Sequence, residues 1–172
     1  MKKGFIPHYR SKAFKNSGGF TLIEIIITVA IIMLFSGLSI PRYNAYTQEL
    51  KLRKESNRVK AVLDLAKKKA VASELYNQAC TDFDGYRTVV SAGSFSLNFG
   101  CNDSYQTVQD YDLESNISVV TGTGNIDFPP GGFGINITIN TIRLKNNQNN
   151  RCLDVSITPL GITTVSDSLI GC

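Results

Sequence analysis

The chain has 172 residues, with 18 Lys and Arg against 14 Asp and Glu, four Cys, and one His, at His8. With no further His and no Gly-x-Ser-x-Gly, Walker or His-Glu-x-x-His pattern, neither an enzyme nor a metal or cofactor site is expected. The basic excess is local: Lys2, Lys3, Arg10, Lys12 and Lys15 precede Phe20 with no acid among them, and the other 13 cations face 14 acids.

In chain order, a basic leader over residues 1–19 is followed by the 21-residue run Phe20–Ile40, apolar or weakly polar apart from Glu24. As a helix this run would reach about 30 Å, roughly one hydrocarbon core. An ionised carboxylate within such a span costs about 2.5–3.5 kcal/mol, so Glu24 requires a partner. The leader's cations keep the amino terminus in the cytoplasm and send everything after Ile40 across the membrane. A cut between Gly19 and Phe20 would create an α-amino group four residues before Glu24. On a helix starting at Phe20 the two would share a face, and a neighbouring chain's amine would serve equally well. Two plainer readings compete. An ordinary secretory signal has a shorter apolar region without a carboxylate at its start. A simple single-span anchor leaves Glu24 and the Gly-Phe junction unexplained.

Gly19-Phe20-Thr21-Leu22-Ile23-Glu24 followed by an apolar helix, with Pro41 and Tyr43 downstream, resembles the amino-terminal signature of type IV prepilins and the pseudopilins of type II secretion systems. The resemblance implies a pilin-like α+β fold, with a long amino-terminal helix packed on an antiparallel β-sheet head. It makes Gly19 the residue before the cut, Phe20 the new N-methylated terminus, and Glu24 the residue that pairs with a neighbour's terminal amine. The implied partners are other pilin or pseudopilin subunits, a prepilin peptidase and methyltransferase, and an inner-membrane assembly platform driven by cytoplasmic ATPases. The implied location is a single-pass inner-membrane protein with its head outside the cytoplasm, then a periplasmic or extracellular filament. The leader is longer than the commonest form.

Pro41 lacks an N–H, and its ring crowds the carbonyl of Gly37, so a kink or local melting is expected there. Residues 41–76 are expected to continue the helix: Tyr43 to Tyr76 contains no Pro or Gly. Leu52, Val59, Leu63, Ala66 and Ala70 form one buried stripe, widened by Val62, Leu65 and Val71. Arg42 to Lys69 carries nine cations against three acids, whereas Ala70 to Cys172 carries four against ten. A basic stem thus supports an acidic head. Its cations are expected to form a solvated helix face, with anionic lipid or acidic neighbouring subunits as the next contacts.

Residues 77–172 are read as a β-rich globular head. Strands are expected at Tyr86 to Val90, Ser94 to Phe99, Asn116 to Val120, Ile135 to Ile139, Thr141 to Leu144, Cys152 to Ile157 and Ile162 to Val165. Ile135, Ile137 and Ile139 should present an apolar face to the helix stripe. Asp82-Phe83-Asp84-Gly85 reads as a turn, since it lacks the remaining ligands of a calcium loop. Cys80, Cys101, Cys152 and Cys172 lie in the exported part, and an even count there points to two disulfides with three possible connectivities. Cys80 with Cys101 and Cys152 with Cys172 is favoured, as sequential loops of similar size. The stretch from Phe128-Pro-Pro-Gly-Gly-Phe133-Gly to the carboxy-terminal Cys resembles minor pilins and pseudopilins related to the H component of type II secretion.

The expected function is a structural subunit, minor rather than major, of a type IV pilus or a type II secretion pseudopilus. The alternative is a DNA-uptake pilin in which Arg143, Lys145 and Arg151, around the Asn-rich loop, contact phosphate. An acidic head makes any such site a local patch.

Overall fold

The computed structural model describes residues 19–76, 79–132, 135 and 138–172, with side chains at all of these except 38–42 and 132. The expected leader before Gly19, and Phe133 and Ile137 of the head, lie outside the described residues. The chain divides into two compact units, one ending at Ile40 and the other spanning Pro41–Cys172.

One long helix, α1, runs from Leu22 to Val71 and is unbroken at Pro41, so the local melting expected there is not observed. Its end corrects a second expectation, because the helix stops at Val71 and not at Tyr76. Ser73 adopts φ 48°. Its N–H donates to the Ala70 carbonyl (3.1 Å) and the Glu74 N–H to the Lys69 carbonyl (3.0 Å). These are the paired bonds of a Schellman cap, with Ser73 in the left-handed position that glycine usually fills. Without Gly or Pro to mark the stop, the sequence reads as helix for five residues too many.

Within Pro41–Cys172 the helix stripe forms as its period requires. Leu52, Val59, Leu63, Ala66 and Ala70 are fully buried and Val62 nearly so, while Val71 is exposed. Glu55 and Ser56 share this buried face. The Ser56 hydroxyl donates to the Leu52 carbonyl (2.9 Å), and the Glu55 carboxylate lies 3.4 Å from the Arg58 guanidinium. Both sheets contribute to the same hydrophobic cluster as this stripe. The result is an α+β arrangement of a helix on antiparallel sheets, as expected for a pilin-like fold.

The first sheet has the order β3-β2-β1-β5, with β1 Phe83–Val90, β2 Ser94–Cys101, β3 Ser104–Asp112 and β5 Gly124–Phe128. The second has the order β4-β6-β7-β8, with β4 Ile117–Thr121, β6 Thr141–Asn146, β7 Arg151–Ile157 and β8 Thr163–Val165; β9, Ile170–Gly171, also pairs with β7. Every pairing is antiparallel. The chain passes from the second sheet to the first between β4 and β5, through Gly122 at φ 85°. A Cβ there would stand 2.3 Å from the Thr141 carbonyl oxygen, so no larger residue fits this crossing.

Alternate side chains of the strands fill the core: Tyr86, Thr88 and Val90 from β1, Phe95, Leu97 and Phe99 from β2, and Ile142 and Leu144 from β6. The Tyr86 hydroxyl donates to the Glu74 carbonyl (2.8 Å), and burial, with Glu74 adding to it, pushes its pKa to about 12. Thr88 Oγ1 is the buried side-chain oxygen without a partner among the described residues.

Three strands escape the sequence reading: β3, β5 and β9. The expected strand over 135–139 is not formed at its described residues, since Ile135, Thr138 and Ile139 are irregular. Ile135 instead bonds through its N–H to the Pro159 carbonyl (3.1 Å). Ile135 and Ile139 still pack on the core. Asp82–Gly85 is not a simple turn either, since β1 already starts at Phe83 and carries a register shift between Phe83 and Gly85.

The stem cations are not a free solvated face. Lys51 and Lys54 reach Glu114 (3.1 and 3.4 Å). Arg53 donates to the Asp167 carbonyl (2.9 Å), and Lys67 to that of Leu160 (2.8 Å). Arg58 donates to the Asp112 carbonyl (2.9 Å) and lies over the rings of Phe95 and Tyr111 (5.7 and 5.3 Å). Lys60 pairs with Asp64 (2.9 Å); Asp64 also accepts the Thr163 hydroxyl. Asn146, buried, donates to Gln48 of the helix (3.1 Å). The stem is therefore fastened to the head by one acid, Glu114, and by several backbone carbonyls, each exposed ion pair contributing about 0.2–1 kcal/mol.

Candidate functional site

The motif region is built around the first turn of α1. Gly19, Phe20 and Thr21 precede the helix. The Glu24 N–H donates to the Thr21 carbonyl (3.1 Å) and approaches Thr21 Oγ1 (3.3 Å); the Ile25 N–H also donates to the Thr21 carbonyl (3.2 Å). Thr21 is thus the N-cap and Glu24 the third helical residue. This is the Thr-x-x-Glu spacing of a capping box, which places a carboxylate at the positive end of the helix dipole. The sequence reading saw Glu24 as a charge in need of a partner and missed Thr21, although the spacing itself was the available signal. The same geometry corrects the expected pairing within one chain: Phe20 lies before the N-cap, so it and Glu24 do not share a helix face.

Beyond the cap the helix is apolar all round, and its side chains are largely exposed. Leu22, Ile23, Ile26, Ile32, Met33, Leu34 and Phe35 are each more than half exposed. Polar residues close on the helix itself, as where the Thr28 hydroxyl donates to the Ile25 carbonyl (2.9 Å). A helix apolar on every side belongs in lipid or among other helices. Among the described residues no helix is long and apolar enough to cross a membrane; the described side chains of this run stop at Gly37.

The four cysteines are joined as Cys80–Cys101 and Cys152–Cys172, with Cα atoms 5.9 and 5.5 Å apart. The first ties the segment after α1 to the end of β2, and the second closes the carboxy terminus onto β7. Among the described residues no three His, Cys, Asp or Glu side chains are placed to hold a metal ion.

Of the three cations considered for DNA, two lie on β6 and the third opens β7, its strand partner. Arg143 is gripped by Asp154 through two bonds, Nε to Oδ1 (2.7 Å) and Nη2 to Oδ2 (2.8 Å). Lys145 stands two residues along the same face of β6. Arg151 pairs in register with Asn146, which is buried on the opposite face.

A family model of the prokaryotic N-terminal methylation motif matches residues 14–40. The chain carries the prepilin-type motif of type IV pilins and pseudopilins, which implies processing by a prepilin peptidase, membrane anchoring and then residence in a filament. No curated protein and no solved structure matches the chain.

Proposed function

We propose that this chain is a structural subunit of a type IV pilus or a type II secretion pseudopilus, doing no chemistry of its own. The observation that carries the reading is a helix with largely exposed apolar side chains whose first turn holds Glu24 within the methylation motif. In this reading Phe20–Ile40 spans the inner membrane once, with the head outside the cytoplasm. Peptidase cleavage after Gly19 leaves Thr21 in place as the cap, and a methyltransferase modifies the Phe20 amine. That amine is a cation at the positive end of a helix dipole, where it is disfavoured. Glu24 of a neighbouring helix offers it a carboxylate, and the pairing offsets the cost of burying both charges. A bend at Pro41 would let the exposed helix pack independently of the head. An assembly platform and its cytoplasmic ATPases drive extraction from the membrane.

The test is incorporation into sheared filaments. Glu24→Ala, processed and inserted as the parent is, should leave filaments nearly free of the subunit, whereas normal incorporation would sink the pairing. The ratio of this chain to other subunits in the same preparation reads whether it is minor, as the sequence suggests. The alternative is a DNA-uptake pilin that contacts phosphate through Arg143, Lys145 and Arg151, of which Arg143 is already paired with Asp154.

A further inference from the structure

The head carries two features of opposite charge that it does not join to each other. Between the last turns of α1 and the segment entering β8 lies an open groove of about 570 Å³, lined by Lys60, Asp64, Lys67, Lys68, Val71 and Ile162 among others. Lys60 is balanced by Asp64. Lys67 donates through its ammonium to the Leu160 carbonyl and joins no ion pair among the described residues, and Lys68 is exposed. Val71 and Ile162 leave apolar walls 49 % and 52 % exposed.

On the first sheet, the β2–β3 turn at Asn102-Asp103 (φ 53° and 59°) folds against the start of β1. The Asp103 N–H donates to Asp84 Oδ2 (2.8 Å), and the Asn102 N–H to the Asp82 carbonyl (2.9 Å). This gathers Asp82, Asp84 and Asp103 into a rigid tip, tethered by the Cys80–Cys101 disulfide. Among the described residues no ion pair reaches Asp82, Asp84 or Asp103, and none joins them to the groove.

We infer that the acidic tip of one copy of this chain docks in the lysine groove of a second copy. Charge complementarity selects the occupant: the groove sets the three ammonium groups of Lys60, Lys67 and Lys68 against the single carboxylate of Asp64, and among the described residues no ion pair reaches the three carboxylates of the tip. The two features belong to different sheets, so the contact is head-to-tail. A pair joined by one such contact leaves one groove and one tip open to a further copy. The inference extends the filament reading to the heads but does not depend on Glu24.

The test uses the processed full-length chain in detergent with a carbodiimide, which joins amines only to carboxylates in direct contact. The parent should yield dimers cross-linked from Lys67 or Lys68 to Asp82, Asp84 or Asp103. Lys67→Glu with Lys68→Glu, or Asp82→Lys with Asp103→Lys, should each lower the dimer about tenfold, since like charges then meet. An equal mixture of the two variants should restore it, a result that misfolded variants cannot give. Absence of the parent dimer, indifference to either reversal, or failure of the mixture would overturn the inference. So would groove-dependent binding of duplex DNA in place of self-association. Head cross-linking of the parent in detergent is read apart from incorporation of Glu24→Ala into sheared filaments, which separates failure of this contact from failure of the filament reading.

Discussion

Single residues at the two ends of α1 keep its backbone satisfied. Thr21 caps α1 at one end and Ser73 closes it at the other. Ser73 holds a left-handed conformation that costs a residue with a Cβ roughly 1 kcal/mol or more. Ser73→Gly should therefore raise stability by about 0.5–1 kcal/mol, seen as a higher denaturant midpoint with an unchanged slope. Thr88 offers a second check, since its hydroxyl is buried without a partner among the described residues. Thr88→Val removes that group at nearly constant volume and should stabilise the head by about 1 kcal/mol, whereas a loss would mean that the hydroxyl is bonded in solution. Neither position announces itself in the sequence, because Ser and Thr are ordinary residues in helices and strands and only the fold makes them exceptional.

At the scale of elements, the helix stripe was legible because a period near 3.6 survives whatever packs on it, and Leu52, Val59, Leu63, Ala66 and Ala70 are all buried. Leu63→Ala should cost about 2–5 kcal/mol, measurable by the same denaturation. The edge strand β3 was not legible: none of it is fully buried, and its half-buried Tyr105, Val108 and Tyr111 recur every third residue, so no alternation of apolar residues betrays it. Its hairpin also turns on Asn102-Asp103 without a glycine. Ile135 and Ile139 show the opposite error, where alternation reflects contact with the core made by irregular chain. The docking of helix on head was half legible, in that the charge contrast was visible but not which cation meets which acid.

Asp64 shows how that docking responds to pH. Burial alone would raise its pKa, but the bonds from the Thr163 hydroxyl and the Lys60 ammonium outweigh this and hold it below the usual carboxylate value. A depressed folded pKa adds stability above the unfolded value of about 3.9 and loses it as pH falls through the folded pKa. Acidification below about pH 4 should thus weaken the parent through Asp64. In Asp64→Asn that component of the pH dependence should be missing, while the stability above it is lower throughout.

The molecule as a whole carries a disulfide-stapled head and a helix whose apolar side chains are largely exposed among the described residues. Losing the Cys152–Cys172 bridge, which closes a loop of sequence separation 20, should cost about 3 kcal/mol and free the carboxy terminus from β7. The amino-terminal motif was the most legible part of the site, because a carboxylate in an apolar run conflicts with simple burial and so demands a reason. The lysine groove and acidic tip were hidden, since each gathers residues far apart in sequence. The central claim is that this chain is cut and modified as a filament subunit, and mass spectrometry of its mature amino terminus tests it most directly. The account predicts a chain beginning at N-methylated Phe20; a mature terminus at any other residue would contradict it.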